Sequence, residues 1–382
     1  MRVAIVADGT ERQGGTNEII SHILKSLDGH DVSVHYVRAE RYLNRHLRKW
    51  EHLARILYLR NISKIDFSNF DVVITLQPDS HCIRHKNHVV YFQHHLKQYY
   101  ELFWPTLRHR KGIRKKVIFL LLAMIVRIAD QIYLTPNLRK AHVIANSKTV
   151  ADRLKRYNGI SRFSVINPGC NSTVSIPTTS HKIPNGKNEL PVNTNHHSYS
   201  NSGKKMEFHA LSFSRLSLIQ KGIDISIDTA RLVPDCDLMI AGPYDATIES
   251  INPSSLPINV HLIVKDFSEK EKIELFSNCD VFLAPYMQED FGITPLEANA
   301  LGKPVVYCDD GGEIVHTQVH EETGFMCKRT PEEMAFGIRY CIENGRNMAS
   351  ACINNAARYS WNAFEKAFKN YILNLNPCQS LD

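Results

Sequence analysis

Apolar residues fall into short continuous runs that alternate with stretches where they recur every three or four positions. The runs, bounded by polar and turn-forming residues, predict buried strands at 3–7, 32–37, 72–76, 89–92, 142–145 and 163–166. The intervening periodicity predicts helices over 16–27, 41–59, 112–132 and 149–157. Strand–helix alternation of this kind specifies an α/β fold with a parallel, doubly wound sheet. The pattern stops at residues 170–205, where Asn, Ser, Thr, Pro and His dominate. Too few apolar residues occur there to bury a core, so a polar, flexible insertion or linker is expected. A second alternation follows, with strands at 207–213, 238–241, 260–264, 281–285, 304–307 and 324–327. Its helices are expected over 222–232, 268–277, 294–301 and 331–343, with a last one over 361–375. The expected organisation is one α/β domain over 1–169, the insertion over 170–205, a second α/β domain over 206–360, and a C-terminal helix within 361–382 that crosses back to the first domain.

Length supports the two-domain reading, because 382 residues exceed what one core usually holds. A net charge of +7 is too small to demand nucleic acid, and aromatic–basic interleaving is lacking, so no nucleic-acid partner is expected. The nine cysteines are odd in number, form no CxxC pair and sit mostly in apolar contexts. They read as reduced, buried thiols of a cytoplasmic protein rather than a disulfide scaffold or zinc site. The first residues enter a strand directly, so no signal peptide is expected. The longest apolar run, 117–126, stops at Arg127 and falls short of the roughly 18 residues that span a bilayer.

Candidate chemistry concentrates in EDFGITPLEANALGKPVV, residues 289–306. Glu289 follows the run at 281–285 and so lies at the carboxyl end of a strand, where open α/β sheets bind ligands. The amides of Gly292, Ile293 and Thr294 come at a helix start, where unpaired N–H groups and the helix dipole favour an anion. Glu297 falls in the first turns of the same helix and can point back to that pocket. Phosphate donors flanked by carboxylates suit a nucleotide sugar better than a plain dinucleotide. Arg215 and Lys221-Gly222, in SRLSLIQKGID, follow the first strand of the second domain. Gly14 and Gly15 follow the first strand of the chain, where they serve either a close ligand approach or a plain turn.

Taken in order, these pieces resemble a known family. The E-x7-E spacing of Glu289 and Glu297 encloses Phe291-Gly292; Arg215 precedes Lys221-Gly222; and DDGGEIV carries Gly311, Gly312 and Glu313. QGGTNEII follows the first strand, and AHVIANSKTVADRLKRY leads to INPG before the insertion. The chain resembles the retaining GT-B glycosyltransferases of family four (glycosyl transferases group 1) over nearly its whole length except 170–205. The resemblance implies two Rossmann-like domains facing across a cleft, with 1–169 on the acceptor side and 206–360 binding a nucleotide sugar. It implies that Arg215 and Lys221 stabilise the diphosphate leaving group, that Glu297 binds the ribose, and that Glu289 lies at the donor sugar. VVYFQHHLKQYYE matches the family's strand that ends in a histidine facing the donor; His94 is the best match, with Gln93 and His95 in neighbouring registers. Asp290, where the family most often has glycine, leans toward a mannose-type donor. No DxD-like pair stands in a strand-end loop, so a metal-independent enzyme is expected that uses a GDP- or UDP-sugar and no cofactor. The implied role is hexose transfer to a glycan or lipid-diphosphate-linked acceptor in bacterial surface polysaccharide synthesis, such as lipopolysaccharide.

One basic cluster stays outside that scheme. Six of the nine residues in RHRKGIRKK, 108–116, are Arg or Lys, and the apolar run follows at once. Residues 108–126 thus fit peripheral contact with the inner membrane, or a core helix beneath a solvated loop. Two rival functions are weighed as well. An NAD-dependent Rossmann oxidoreductase would carry GxGxxG after the first strand, which VADGTERQGG does not supply. A non-catalytic nucleotide- or glycan-binding relative would bind without transfer.

Overall fold

The computed structural model describes residues 1–8, 15–37, 55–171, 198–199 and 208–375. They form two compact units, Met1–Gly169 joined by the chain from Trp361 onward, and Cys170–Ser360.

The first unit contains β1 (Arg2–Asp8), β2 (Asp31–Val37), β3 (Val72–Thr75), β4 (His88–Phe92), β5 (His142–Ala145) and β6 (Ser164–Val165). All pair in parallel in the order β2-β1-β3-β4-β5-β6. Every residue of β3 and β4 is buried, as expected for a parallel sheet covered on both faces. The helix Lys148–Asn158 shows how local chemistry fixes an element. Ser147 caps its start by accepting from the Val150 amide, and Gly159 ends it in the left-handed conformation at φ 64°.

The second unit contains β7 (Ser198–Tyr199), β8 (Phe208–Phe213), β9 (Cys236–Gly242), β10 (Val260–Val264), β11 (Val281–Ala284), β12 (Val305–Cys308) and β13 (Gly324–Cys327). Their order is β13-β12-β11-β8-β9-β10-β7. Only β7, among the described strands, runs antiparallel, pairing Tyr199 with Leu262. It lies inside the segment expected to be a structureless insertion. Main-chain pairing at an open sheet edge needs no apolar side chain, so composition gave no sign of it. The rest of that expected insertion, from 172 on, lies outside the described residues.

Three helices differ from expectation. The expected helix 41–59 is outside the described residues up to 54, and the described helix runs Arg55–Ile62. The helix expected over 331–343 continues to Ala357, because Met348, Cys352 and Ala356 keep the buried stripe going through polar sequence. The apolar helix expected to end at 132 runs as Ile113–Ala129, a π-helical turn at Asp130–Leu134, then Thr135–Lys140. Its 28 residues are long and apolar enough to cross a membrane by length and composition, contrary to the limit set by the run ending at Arg127. Arg127 does not interrupt the helix because its side chain folds back, donating from Nε to the Tyr99 carbonyl at 2.8 Å.

The helix Trp361–Leu373 buries Trp361, Phe364, Phe368 and Ile372 in the first unit's core beside Val3, Ile5 and Tyr91. Gly169 makes room for it: a Cβ there would come within 2.4 Å of the Trp361 amide nitrogen. Trp361 Nε1 also donates to Glu18, and His22 pairs with Glu365 at 2.6 Å.

In each sheet the strand order reverses once, between β1 and β3 in the first unit and between β8 and β11 in the second. Beyond the carboxyl ends of strands at such a reversal, neighbouring loops diverge and leave a crevice.

Candidate active site

In the second unit the reversal point is occupied by the residues singled out in sequence. Leu218–Lys221 forms a short helical turn after β8, and Gly222 then adopts φ 61°. A Cβ on Gly222 would lie 2.5 Å from the Pro285 carbonyl, so only glycine lets this turn cross the end of β11 so closely. The crossing carries the Lys221 ammonium to 2.8 Å from Glu289 Oε2 and 4.0 Å above the Tyr286 ring. The two paired side chains are 12% and 14% exposed, shielded enough for the attraction to exceed that of a surface pair. Tyr286 donates to the Phe213 carbonyl at 2.9 Å, tying the ends of β8 and β11 together. Burial and the nearby Glu289 charge push its phenol well above the usual range, so it stays neutral.

Glu289 is held through its backbone. Gln288 sits at φ 52°, rare for a non-glycine residue, and its amide donates to Asp310 at 2.9 Å. The Glu289 amide donates to Gly311 at 3.0 Å, and its carbonyl accepts from Glu313 at 3.0 Å. Gly312, at φ 72°, passes so close that a Cβ would lie 2.3 Å from the Glu289 carbonyl oxygen. The Gly311-Gly312 turn is therefore a backbone clamp on the first glutamate. Next to it, Arg329 Nε pairs with Asp310 at 3.0 Å, and one guanidinium nitrogen of Arg329 is buried without a hydrogen-bond partner. A Cβ built on Gly222 would approach Arg329 to 3.0 Å, which places this cation at the same loop.

Gly292, at φ 88°, precedes the helix Ile293–Ala300, which Ile293 and Thr294 open. Glu297 lies in the second turn of this helix and is 7% exposed. Its Oε1 is 2.6 Å from the Lys272 ammonium on the helix Glu269–Asn278. Burial raises the Glu297 pKa, and Lys272 opposes the rise. Arg215 stands on the loop after β8 with an exposed side chain and no ion pair among the described residues. The structure thus joins Lys221 with Glu289 and Glu297 with Lys272. It adds Tyr286, on the same loop as Glu289, and Arg329 and Lys272, which no spacing motif marked because they come from separate elements.

At the reversal point of the first unit, Gly14 lies outside the described residues, and the exposed Gly15 opens the helix Gly15–Ser26. Thr16 donates to Gln93 at 3.3 Å and accepts from Gln77 at 3.4 Å. Gln93 is buried and donates to the Leu76 carbonyl, while His95 is buried with Nε2 2.8 Å from Asn158 Oδ1. His94 is half-buried, with Nδ1 2.8 Å from the His95 carbonyl, an arrangement that makes Nδ1 the donor. Asp8 ends β1 and accepts from the amides of Asp79 and Ser80 at 3.0 and 2.8 Å. Burial and the Asp79 charge push its pKa up to about 8. Asp8 also lacked a motif, since a single acidic residue after a strand is common.

Three comparisons place this arrangement among known proteins. Residues 197–359 match the family model described as "Glycosyl transferases group 1". The human alpha-1,3/1,6-mannosyltransferase ALG2 is 29% identical over 153 residues, and the match covers 36% of each chain. The lipopolysaccharide core biosynthesis mannosyltransferase LpsB of Rhizobium meliloti is 30% identical over 155 residues, 37% of this chain and 44% of that protein. The matched stretch therefore spans well under half the length of these relatives. Sucrose-phosphate synthase from Thermosynechococcus elongatus superposes with a TM-score of 0.67 at 14% identity, over 97% of this chain and 98% of that one, a likeness of fold. The paired α/β units are those of the GT-B glycosyltransferase architecture. The second unit, with the Glu289 clamp inside the matched stretch, is thus similar to the family described as glycosyl transferases group 1.

Proposed function

We propose that the protein is a retaining, metal-independent hexosyltransferase that takes its sugar from a GDP- or UDP-sugar. The Lys221–Glu289 pair at the β8/β11 reversal carries this reading. When the bond between the sugar's anomeric carbon and the phosphate oxygen breaks, the diphosphate leaves with added negative charge. Lys221, Arg215 and Arg329 are cations able to stabilise that charge as it develops. An ammonium has three donors, so Lys221 can bond Glu289 and a phosphate oxygen together. Glu289, fixed through its backbone, orients the sugar hydroxyls, and Glu297 accepts from the ribose hydroxyls. The amides of Gly292, Ile293 and Thr294 meet the phosphates at the helix start. The acceptor hydroxyl attacks the face from which the diphosphate departs, and a leaving-group oxygen takes its proton, so configuration is kept. The sugar develops oxocarbenium character on the way.

In this reading His94, Gly14 and Gly15 keep the donor-side roles that the family resemblance implies for them. Asp290 and the similarity to two named mannosyltransferases favour a mannose-type sugar. The acceptor is a glycan or a lipid-diphosphate-linked glycan of bacterial surface polysaccharide, and the protein works in the cytoplasm, peripheral to the inner membrane face. Transfer or slow hydrolysis measured over GDP- and UDP-hexoses, with the product anomer assigned by NMR, tests it. An α-linked product from an α-linked donor, formed in EDTA, is expected. Inversion, or a strict divalent-metal requirement, overturns the corresponding part. Thermal stabilisation by NAD and not by GDP or UDP would favour an oxidoreductase instead.

A further inference from the structure

The helix beginning at Ile113 has two apolar faces. One is packed: Phe119, Ala123 and Val126 are buried against Tyr99, Tyr100 and their neighbours. The opposite one carries Ile113, Val117, Leu120, Leu121, Met124 and Ile128, each between 45% and 78% exposed. Their spacing puts them on one stripe, turned about half a revolution from the packed stripe at 100° per residue. A solvated helix would place charges there. Monomeric soluble proteins seldom leave so continuous an apolar patch open. The charges sit at one end instead: Arg108, Lys111, Arg114 and Lys115 are exposed at or just before the helix start. Trp104, on the preceding helix Phe103–His109, is 63% exposed.

We infer that this outward stripe and its basic end form a surface that docks on an anionic lipid bilayer, with the helix lying along the interface. The packed face argues against spanning. A helix crossing the bilayer would have to withdraw Phe119 and Val126 from the core of the first unit, where both are fully buried. Charge selects the partner. Apolar side chains enter the acyl boundary while Lys and Arg meet acidic headgroups, a combination suited to a membrane rather than to a neutral protein groove. The surface extends the peripheral placement proposed above but does not depend on the transferase chemistry, because binding is read without donor or acceptor.

Flotation of the full chain with vesicles tests it. One set contains equal parts phosphatidylglycerol and phosphatidylcholine, the other phosphatidylcholine alone. The chain is expected to float with the anionic set at moderate salt and less with the neutral one. Leu121→Glu with Met124→Glu should weaken binding to anionic vesicles by at least roughly tenfold. Ile113→Asn, at the most exposed position, should weaken it while keeping the melting temperature. Neutralising Arg114, Lys115 and Lys116 to Gln should weaken anionic binding about a hundredfold at low salt and leave neutral-vesicle binding unchanged. Equal flotation of wild type and the Leu121→Glu, Met124→Glu variant overturns the inference, as does lack of flotation with anionic vesicles. A wild-type dimer in solution that the same pair of changes splits, with no flotation, overturns it and assigns the face to a second copy. Absence of transfer and hydrolysis by the wild-type protein, with flotation intact, would refute the proposed function and leave this surface standing.

Discussion

Lys221 and Glu289 meet at 2.8 Å above the ring of Tyr286, although 67 residues lie between them in the chain. Gly222 brings the lysine over the end of β11, and Gly311-Gly312 pins the glutamate from the other side. Removing the ammonium should leave these supports in place. Lys221→Ala is therefore expected to lower kcat by about 100-fold or more with little change in the thermal midpoint of the second unit. Steady-state kinetics beside a thermal melt check this, and activity equal to wild type would remove Lys221 from the mechanism. Glu289→Ala should likewise abolish transfer in a folded protein.

Gly312 offers a separate handle on Glu289. Alanine there must adopt φ 72° and drive its Cβ against the Glu289 carbonyl, which a real contact of 2.3 Å does not permit. Gly312→Ala should cost about 1–3 kcal/mol of stability and, by shifting Glu289, should reduce kcat at least as much as it reduces stability. Chemical denaturation and kinetics on the same preparation distinguish the two effects. Unchanged kcat would mean that the clamp does not position Glu289.

The Glu297–Lys272 pair predicts a pH-dependent loss. Lys272→Met strands a buried carboxylate and should destabilise the second unit by about 3 kcal/mol near neutrality. Burial already raises the Glu297 pKa in the folded state, and removing Lys272 raises it further. The folded state then binds the extra proton, so the deficit should be small below the unfolded pKa of about 4.3 and grow as pH rises. Adding Glu297→Gln should restore much of the loss, a coupling that a double-mutant cycle measures.

Two buried histidines make the first unit acid-sensitive. Burial lowers the His88 pKa from 6.5 to about 3 and holds His81 well below its usual value; both imidazoles bond the Thr75 hydroxyl. The unfolded chain binds more protons between those limits, so stability rises with pH from about 3 to 6.5 and is lost as pH falls through that window. His88→Gln should flatten the loss between pH 6.5 and 4.5. Tryptophan fluorescence isolates the effect, because Trp50, Trp104 and Trp361 all belong to the first unit's chain. An equally steep acid transition in the variant would shift the cause to other groups.

Much of the fold could be read from periodicity. The strand at 142–145 and those at 260–264 and 324–327 match the structure residue for residue, because each is a short, largely apolar run bounded by a change of composition. The helix Ile113–Ala129 was also visible, but its outward face was not: an all-apolar helix reads the same whether one face or both are covered. The long helix from Pro331 was cut short at residue 343 for the opposite reason. Beyond it the buried positions are held by small residues and Met348 amid polar neighbours.

The site divides in the same way. Glu289, Glu297, Arg215, Lys221 and the Gly311-Gly312 turn could be singled out as candidates because they stand at or near strand ends at fixed offsets. Which residues face one another was settled by the fold. Lys272 reached Glu297 from another helix, Arg329 reached the Gly222 loop from beyond β13, and Gln93 and His95 turned inward while His94 stayed half-buried. Local patterning follows from each segment's own burial and hydrogen-bond needs, so the sequence by itself determined two α/β units and the loops at their strand ends. Pairings between distant segments depend on how the sheets order their strands. Only the tertiary structure, by placing β8 beside β11, decided that Lys221 and Glu289 form one site.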